Sequence, residues 1–171
     1  TDQALSEMSS HFLIKNLGEV GQTEHQQKFL GRYINREGHG LQFFDPPEYF
    51  QRMLQDFGLQ SCKPTSAPSI AKETPAEDDV IALSEEEHHQ YRSAVGKLQW
   101  SVGVRPDLAY TVKELARKFQ APTRRDLRHL KHCLRYVKGT THYRSQFISE
   151  QALKLSARVP MVIKVWTYSN W

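Results

Sequence analysis

The side chains of this sequence with the clearest chemical potential are the cations of its second half. Five of them recur at spacings of 4, 3, 4 and 3 residues: Arg124, Arg128, Lys131, Arg135 and Lys138. On a helix these spacings place all five on one face, over roughly 20 Å at a rise of ~1.5 Å per residue. Such a row can contact successive phosphates without reading a base sequence. The pattern predicts a phosphate-binding face, and the alternative is a solvated surface opposite the apolar stripe of the same helix.

The charge distribution favours the same interpretation. Positions 1–60 carry a net charge of −3, positions 61–95 carry −4, and positions 96–171 carry +11. Positive charge concentrated in one part of a chain is the usual footprint of a polyanionic partner, most often nucleic acid. The residues that we predict to bind nucleic acid are Arg105, Lys113, Arg117, Lys118, Arg124, Arg125, Arg128, Lys131, Arg135 and Lys138.

Other groups of reactive side chains give weaker signals. His129, His132 and Cys133 could ligate zinc, but a structural zinc site needs four ligands and no second pair lies nearby in the sequence. No Ser-His-Asp arrangement, Walker loop or Rossmann glycine pattern can be assembled from the sequence. We therefore predict no catalytic residue, no metal site and no cofactor in this chain.

Composition excludes several classes of protein. With 39% hydrophobic and 11% aromatic residues, the chain is too apolar for a disordered tail. No apolar run approaches the roughly 20 residues that span a bilayer, and the N-terminus lacks the layout of a signal peptide. Cys62 and Cys133 cannot form a disulfide framework. We expect an intracellular protein, cytoplasmic and/or nuclear and not secreted, with no membrane partner, whose two ends are cuts through a longer chain.

Residue periodicity predicts an α+β protein in four parts. Residues 1–60 should form a short helix over 3–14, a hairpin of Lys28–Asn35 with Leu41–Phe44, and a helix that Asp45 caps and Gly58 ends. Residues 61–83 are rich in proline and acidic side chains and should be an extended, mobile linker.

The second half of the chain should be mainly helical. Residues 84–139 should form three basic helices, with capping boxes at Ser84–Glu87 and Thr123–Asp126. Residues 140–171 change to a period of two and should form strands, including 161–166.

Several stretches resemble the Pol polyprotein of copia-type LTR retrotransposons. In the second half they are YRSAVGKL at 91–98, RPDLAY at 105–110 and LKHCLRYVKGT at 130–140, which are similar to that family's YRSxVGxLxY, TRPDIAY and LKRxLRYLKGT. In the first half they are FLIKNLG at 12–18, KFLG at 28–31 and FGLQSCKPTSAP at 57–68, which are similar to its FxMKDLG, YFLG and FGMxxCKPVxTP. The order and similar spacing make the set specific, whereas residues 19–27 depart from the family.

The resemblance implies a position between the reverse transcriptase palm and ribonuclease H. Residues 84–139 would then be thumb or connection helices that hold an RNA–DNA or DNA duplex, residues 140–171 would open a truncated ribonuclease H-like domain, and the remainder of the Pol polyprotein would be a partner. The parent family uses Mg²⁺. Tyr168 occupies the position of the first metal-binding Asp of ribonuclease H, and Asn170 replaces the second acid. We therefore expect this fragment to be inactive by itself.

Two further hypotheses remain open on the sequence. A domesticated scaffold could keep the fold and bind proteins through the acidic region 73–87. A degenerate remnant could have no function.

Overall fold

The computed structural model describes residues 2–14, 20, 26–37, 40–70 and 74–148, and these form a mixture of helices and one antiparallel sheet. In chain order the elements are α1 (Asp2–His11), β1 (Gln27–Phe29), β2 (Arg32–Glu37), β3 (Gly40–Phe44), α2 (Pro47–Asp56), α3 (Glu85–Ser101), a 3₁₀ turn (Pro106–Leu108), α4 (Ala109–Ala116), α5 (Arg124–Gly139) and β4 (Ser145–Ile148). This mixture of helices and sheet is compatible with the predicted α+β class. Tyr168, Asn170, the predicted strand at 161–166 and most of 19–27 lie outside the described residues.

The apolar stripes predicted for the helices meet in one core. Leu98 of α3, Val112 of α4 and Leu130 of α5 are almost fully buried, and Phe50 and Met53 of α2 pack with them. Burying such a side chain contributes about 1.5–3 kcal/mol, so each buried member of this cluster stabilises the helical part. The apolar stripe predicted opposite the cations of α5 is confirmed.

The first predicted strand is wrong as one continuous element. Leu30 and Gly31 have φ of +48° and +80°, and they separate β1 from β2. Two consecutive residues with positive φ make the tight turn whose twist suits a two-residue hairpin. The alternating pattern of residues 28–35 did not predict this turn, because Leu is unusual at the first position of a turn with positive φ.

The last described strand joins the sheet of the N-terminal segment. β4 pairs antiparallel with β3, with Phe43 opposite Ser145 and Leu41 opposite Phe147, so the strand order is β1-β2-β3-β4. The period of two after Gly139 correctly predicted a strand. The prediction assigned that strand to a unit that follows the helices. Its partner comes from the first 60 residues, where the edge of β3 is available for pairing.

Local helix caps agree with the sequence at two of three starts. Glu87 N–H donates to Ser84 Oγ at 3.2 Å, and Ser84 N–H donates to Glu87 Oε2 at 3.1 Å. The capping box of α5 is also present. The predicted cap of α2 is wrong: Pro46 takes that position, and the fully buried Asp45 side chain makes an ion pair with Arg32 at 3.5 Å.

No helix within the described ranges combines the length and the apolar character that crossing a membrane requires.

Candidate nucleic-acid interface

The ten cations predicted to bind nucleic acid occupy three different environments. Arg105 is buried, and three half-buried residues contact the segment that precedes α3: Arg128, Arg135 and Lys138. The remaining six are exposed: Lys113, Arg117, Lys118, Arg124, Arg125 and Lys131. All ten cations were predicted together from their charge and spacing, because spacing along a helix does not show which face another segment covers.

Arg105 has a structural environment. Its guanidinium donates to both carboxylate oxygens of Asp107, at 2.9 and 2.7 Å, and to the Thr140 carbonyl oxygen at 3.0 Å. A further bond at 2.7 Å reaches the Thr140 hydroxyl, and only 2% of the residue is exposed. A group enclosed in this way does not face a phosphate, so we leave Arg105 out of the interface.

Five of the six exposed cations lie in α4, just after it or in the first turn of α5, and Lys131 lies further along α5. Lys113 and Arg117 have side chains that are 69% and 68% exposed, and both contact Glu114, at 3.8 and 3.2 Å. Arg124 and Arg125 occupy the first turn of α5. A helix N-terminus prefers anions, so two arginines there disfavour the helix locally while strengthening an anion-attracting surface. Arg124 is balanced in part by Glu87, at 2.9 Å.

An open groove of about 530 Å³ lies beside these cations. Its walls come from α4, α5 and the segment before α3, and the charged side chains that line it have both signs: Lys118, Arg125, Asp79, Glu114 and Asp126. Tyr110, which is 68% exposed, also lines the groove. An exposed aromatic ring among cations offers a surface on which a base can stack.

The predicted linker lies along α5. We call residues 62–70 and 74–83 the strap. At the C-terminal end of α5, Lys138 Nζ donates to the Cys62 carbonyl at 2.6 Å and Arg135 Nε donates to the Lys63 carbonyl at 2.9 Å. One turn further back, His132 Nε2 lies 3.1 Å from the Ala67 carbonyl oxygen.

The strap continues to the N-terminal end of the same helix. Arg128 pairs with Asp78, at 3.0 Å, and with Asp79. The Arg124 backbone N–H donates to the Ile81 carbonyl oxygen at 2.9 Å. The described parts of the strap therefore run antiparallel to α5, from Lys138 near its C-terminal end to Arg124 at its N-terminal end. The prediction of an extended, mobile linker did not include these contacts with α5. Acidic Asp78 and Asp79 ahead of a basic helix were the signal that could have indicated this pairing.

The side chains with zinc-ligand chemistry are used otherwise. Burial raises the pKa of the Cys133 thiol to about 12, and desolvation lowers the pKa of His132, whose ring contacts the strap. Within the described ranges, His, Cys, Asp and Glu side chains nowhere come together in threes that could hold a metal ion.

Comparison with known proteins gives an uncharacterized mitochondrial protein and several retrovirus-related Pol polyproteins from transposons. The chain is 35% identical over 134 residues to an uncharacterized mitochondrial protein of Arabidopsis thaliana, covering 78% of this chain and 52% of that protein. It is 30% identical over 141 residues to the retrovirus-related Pol polyprotein from transposon TNT 1-94 of Nicotiana tabacum, covering 79% of this chain and 10% of the polyprotein. The corresponding polyprotein from transposon RE1 of Arabidopsis thaliana is 28% identical over 139 residues, which cover 81% of this chain and 9% of that protein.

These relatives place the chain among the transposon-derived proteins related to retroviral Pol. The chain belongs to the copia-type family of retrovirus-related Pol polyproteins. It spans about half of the mitochondrial relative and about a tenth of the polyproteins. No family profile and no solved structure matches the sequence.

Proposed function

We propose that this chain is the thumb and connection region of a Pol polyprotein, that it contacts the template–primer nucleic acid, and that it has no catalytic activity by itself. The observation that carries the proposal is the exposed cationic corner formed by Lys113, Arg117, Lys118, Arg124 and Arg125. Its partner would be an RNA–DNA or DNA duplex, and the rest of the polyprotein would supply the catalytic domains.

The arrangement of the corner suits a nucleic-acid backbone. Two arginines at the start of α5 add side-chain charge to the partial positive charge of a helix N-terminus. Lys118 and Arg125 line the same groove as Tyr110, so phosphate contact and base stacking are available within one site. Cations that served only solubility would not need to collect at a position where they disfavour the helix.

Binding of a labelled RNA–DNA hybrid at rising salt tests the interface. We expect the double variant Lys118→Ala and Arg125→Ala to bind more weakly and to reduce the slope of log K against log salt by about 2, since each phosphate contact contributes about 0.9. The charge-matched control removes Arg52 and Arg92, which are exposed on α2 and α3, and it should keep the slope of the wild type. Binding that is absent or insensitive to salt would refute the interface.

Primer extension and cleavage of the hybrid test the expected lack of turnover. Both reactions need carboxylates that hold two divalent cations, and the resemblance places Tyr168 where the first such Asp of ribonuclease H would be. We expect no product above a catalytically dead control with Mg²⁺ or Mn²⁺. Product in either assay would show that this chain carries an active site.

The scaffold hypothesis has less support. The acidic side chains that would contact a protein partner include Asp78, Asp79 and Glu87, and all three already pair with arginines of α5. A segment that is engaged within its own chain is a weaker candidate for capturing another protein.

A further inference from the structure

We propose that the strap is an intramolecular competitor of the nucleic acid: it covers Arg128, Arg135 and Lys138 of α5, and it must lift for the duplex to engage the full row of cations. This inference rests on the proposed function, because it concerns regulation of the same surface. It goes further in that it assigns the chain two states, one with the exposed corner alone and one with the corner and the covered row together.

The strap supplies the kind of acceptor that a phosphate backbone would supply. The Cys62 and Lys63 carbonyl oxygens accept from Lys138 and Arg135, and the carboxylates of Asp78 and Asp79 accept from Arg128. Each covered cation therefore has an oxygen partner that a phosphate oxygen could replace with little change in hydrogen bonding. The strap follows the row from one end to the other, so its removal would expose all three cations on one face.

The strap is also held weakly enough to be displaced. Every one of its described residues is exposed or half-buried, and Val80 and Ile81 are 84% and 52% exposed. Leu83, at its end, is the strap residue that packs partly against the core cluster. A segment with few buried apolar contacts and exposed hydrogen bonds opens at a small fraction of the global stability. Lifting the strap would therefore leave the helical core in place.

The first test weakens the strap without touching the cations. The double variant Asp78→Asn and Asp79→Asn removes the carboxylates that pair with Arg128. Its charge-matched control is Glu85→Gln with Glu86→Gln, two exposed residues in the first turn of α3, which removes the same charge outside the strap. We expect the strap variant to bind the hybrid about tenfold more tightly than the control, with a salt slope steeper by up to about 3, because up to three further phosphates would be contacted.

The second test uses the unmodified chain. Cys62 begins the strap and is half-buried, whereas Cys133 is fully buried with its pKa raised to about 12, so a maleimide should label Cys62 selectively. If the duplex displaces the strap, the labelling of Cys62 should accelerate when hybrid is added. If the duplex binds only the exposed corner, the labelling rate should stay constant or fall.

The outcomes separate this inference from the function on which it rests. Tighter binding by the strap variant, together with faster labelling of Cys62, supports competition. Equal affinity of the strap variant and its control, or unchanged labelling in a chain that does bind hybrid, overturns the inference and leaves the proposed function standing. Failure of every chain to bind, the strap variant included, overturns both.

Discussion

Replacing Arg105 by alanine is the perturbation whose effect the structure specifies best. The guanidinium makes four hydrogen bonds, two to the Asp107 carboxylate and two to Thr140, across 35 residues of sequence. It thereby joins the start of the 3₁₀ turn to the end of α5. The substitution removes all four hydrogen bonds. The oxygen atoms of Asp107 and Thr140 that accepted them then lack these donors.

The expected magnitude follows from burial and from what remains. Removing one member of a buried, hydrogen-bonded ion pair typically costs about 3–5 kcal/mol. Asp107 is 28% exposed in its side chain and keeps a hydrogen bond from the Tyr136 hydroxyl at 3.0 Å, so its carboxylate is not stranded completely. We therefore expect a loss near the lower end, about 3 kcal/mol in the free energy of unfolding.

The substitution should also change how the free energy of unfolding depends on pH in the acid range. Burial alone would raise the pKa of Asp107, but the hydrogen bonds and charge of Arg105 outweigh it and hold that pKa below its ordinary value. A lowered folded-state pKa gives stability that is present above the unfolded pKa and is lost as pH falls through the folded pKa. In the alanine variant this contribution should shrink, so the variant and the wild type should converge in stability as pH falls toward the acid range.

Urea unfolding at neutral and acid pH measures both effects. The control is Arg117→Ala, which removes an arginine that is 68% exposed and pairs with Glu114 across one helical turn. Such a pair contributes about 0.5 kcal/mol or less. Arg105→Lys keeps the charge without the planar fork and should recover part of the loss. A cost below about 1 kcal/mol for Arg105→Ala, equal to that of the control, would refute a structural role for Arg105.

Two further predictions concern other local features. Burial raises the pKa of Asp45 more than its polar neighbour Ser101 and the nearby charge of Arg32 lower it. The carboxylate therefore disfavours the fold as pH rises from its unfolded pKa through its folded pKa. Asp45→Asn should gain stability relative to the wild type between acid and neutral pH, and a relative loss over that range in urea unfolding would contradict this. Ser84→Ala removes the side-chain acceptor at the start of α3 and should cost about 1 kcal/mol in thermal unfolding, whereas Ser84→Asp should stay close to the wild type, and equal stability of all three chains would show that the cap contributes nothing.

Many local elements of this protein were predictable from its amino-acid sequence. Helix caps at Ser84 and Thr123 were predictable because the partners that satisfy the free backbone N–H groups lie three residues away. The inward faces of the helices were predictable because apolar residues repeat with the helical period. The family was predictable from ordered motifs, and the relatives agree with it.

Tertiary structure alone decided which cations stay accessible. Lys138 donates to a carbonyl 76 residues earlier in the chain, and Arg105 donates to the Thr140 carbonyl 35 residues later. Strand β4 pairs with β3, which lies in the first 60 residues. Helical spacing gives the face on which a side chain lies, but not the segment that covers that face. Backbone carbonyl oxygens such as those of Cys62 and Lys63 occur at every residue and carry no sequence signal. For this reason the row of cations was visible in the sequence, whereas the strap on it was decided by long-range packing.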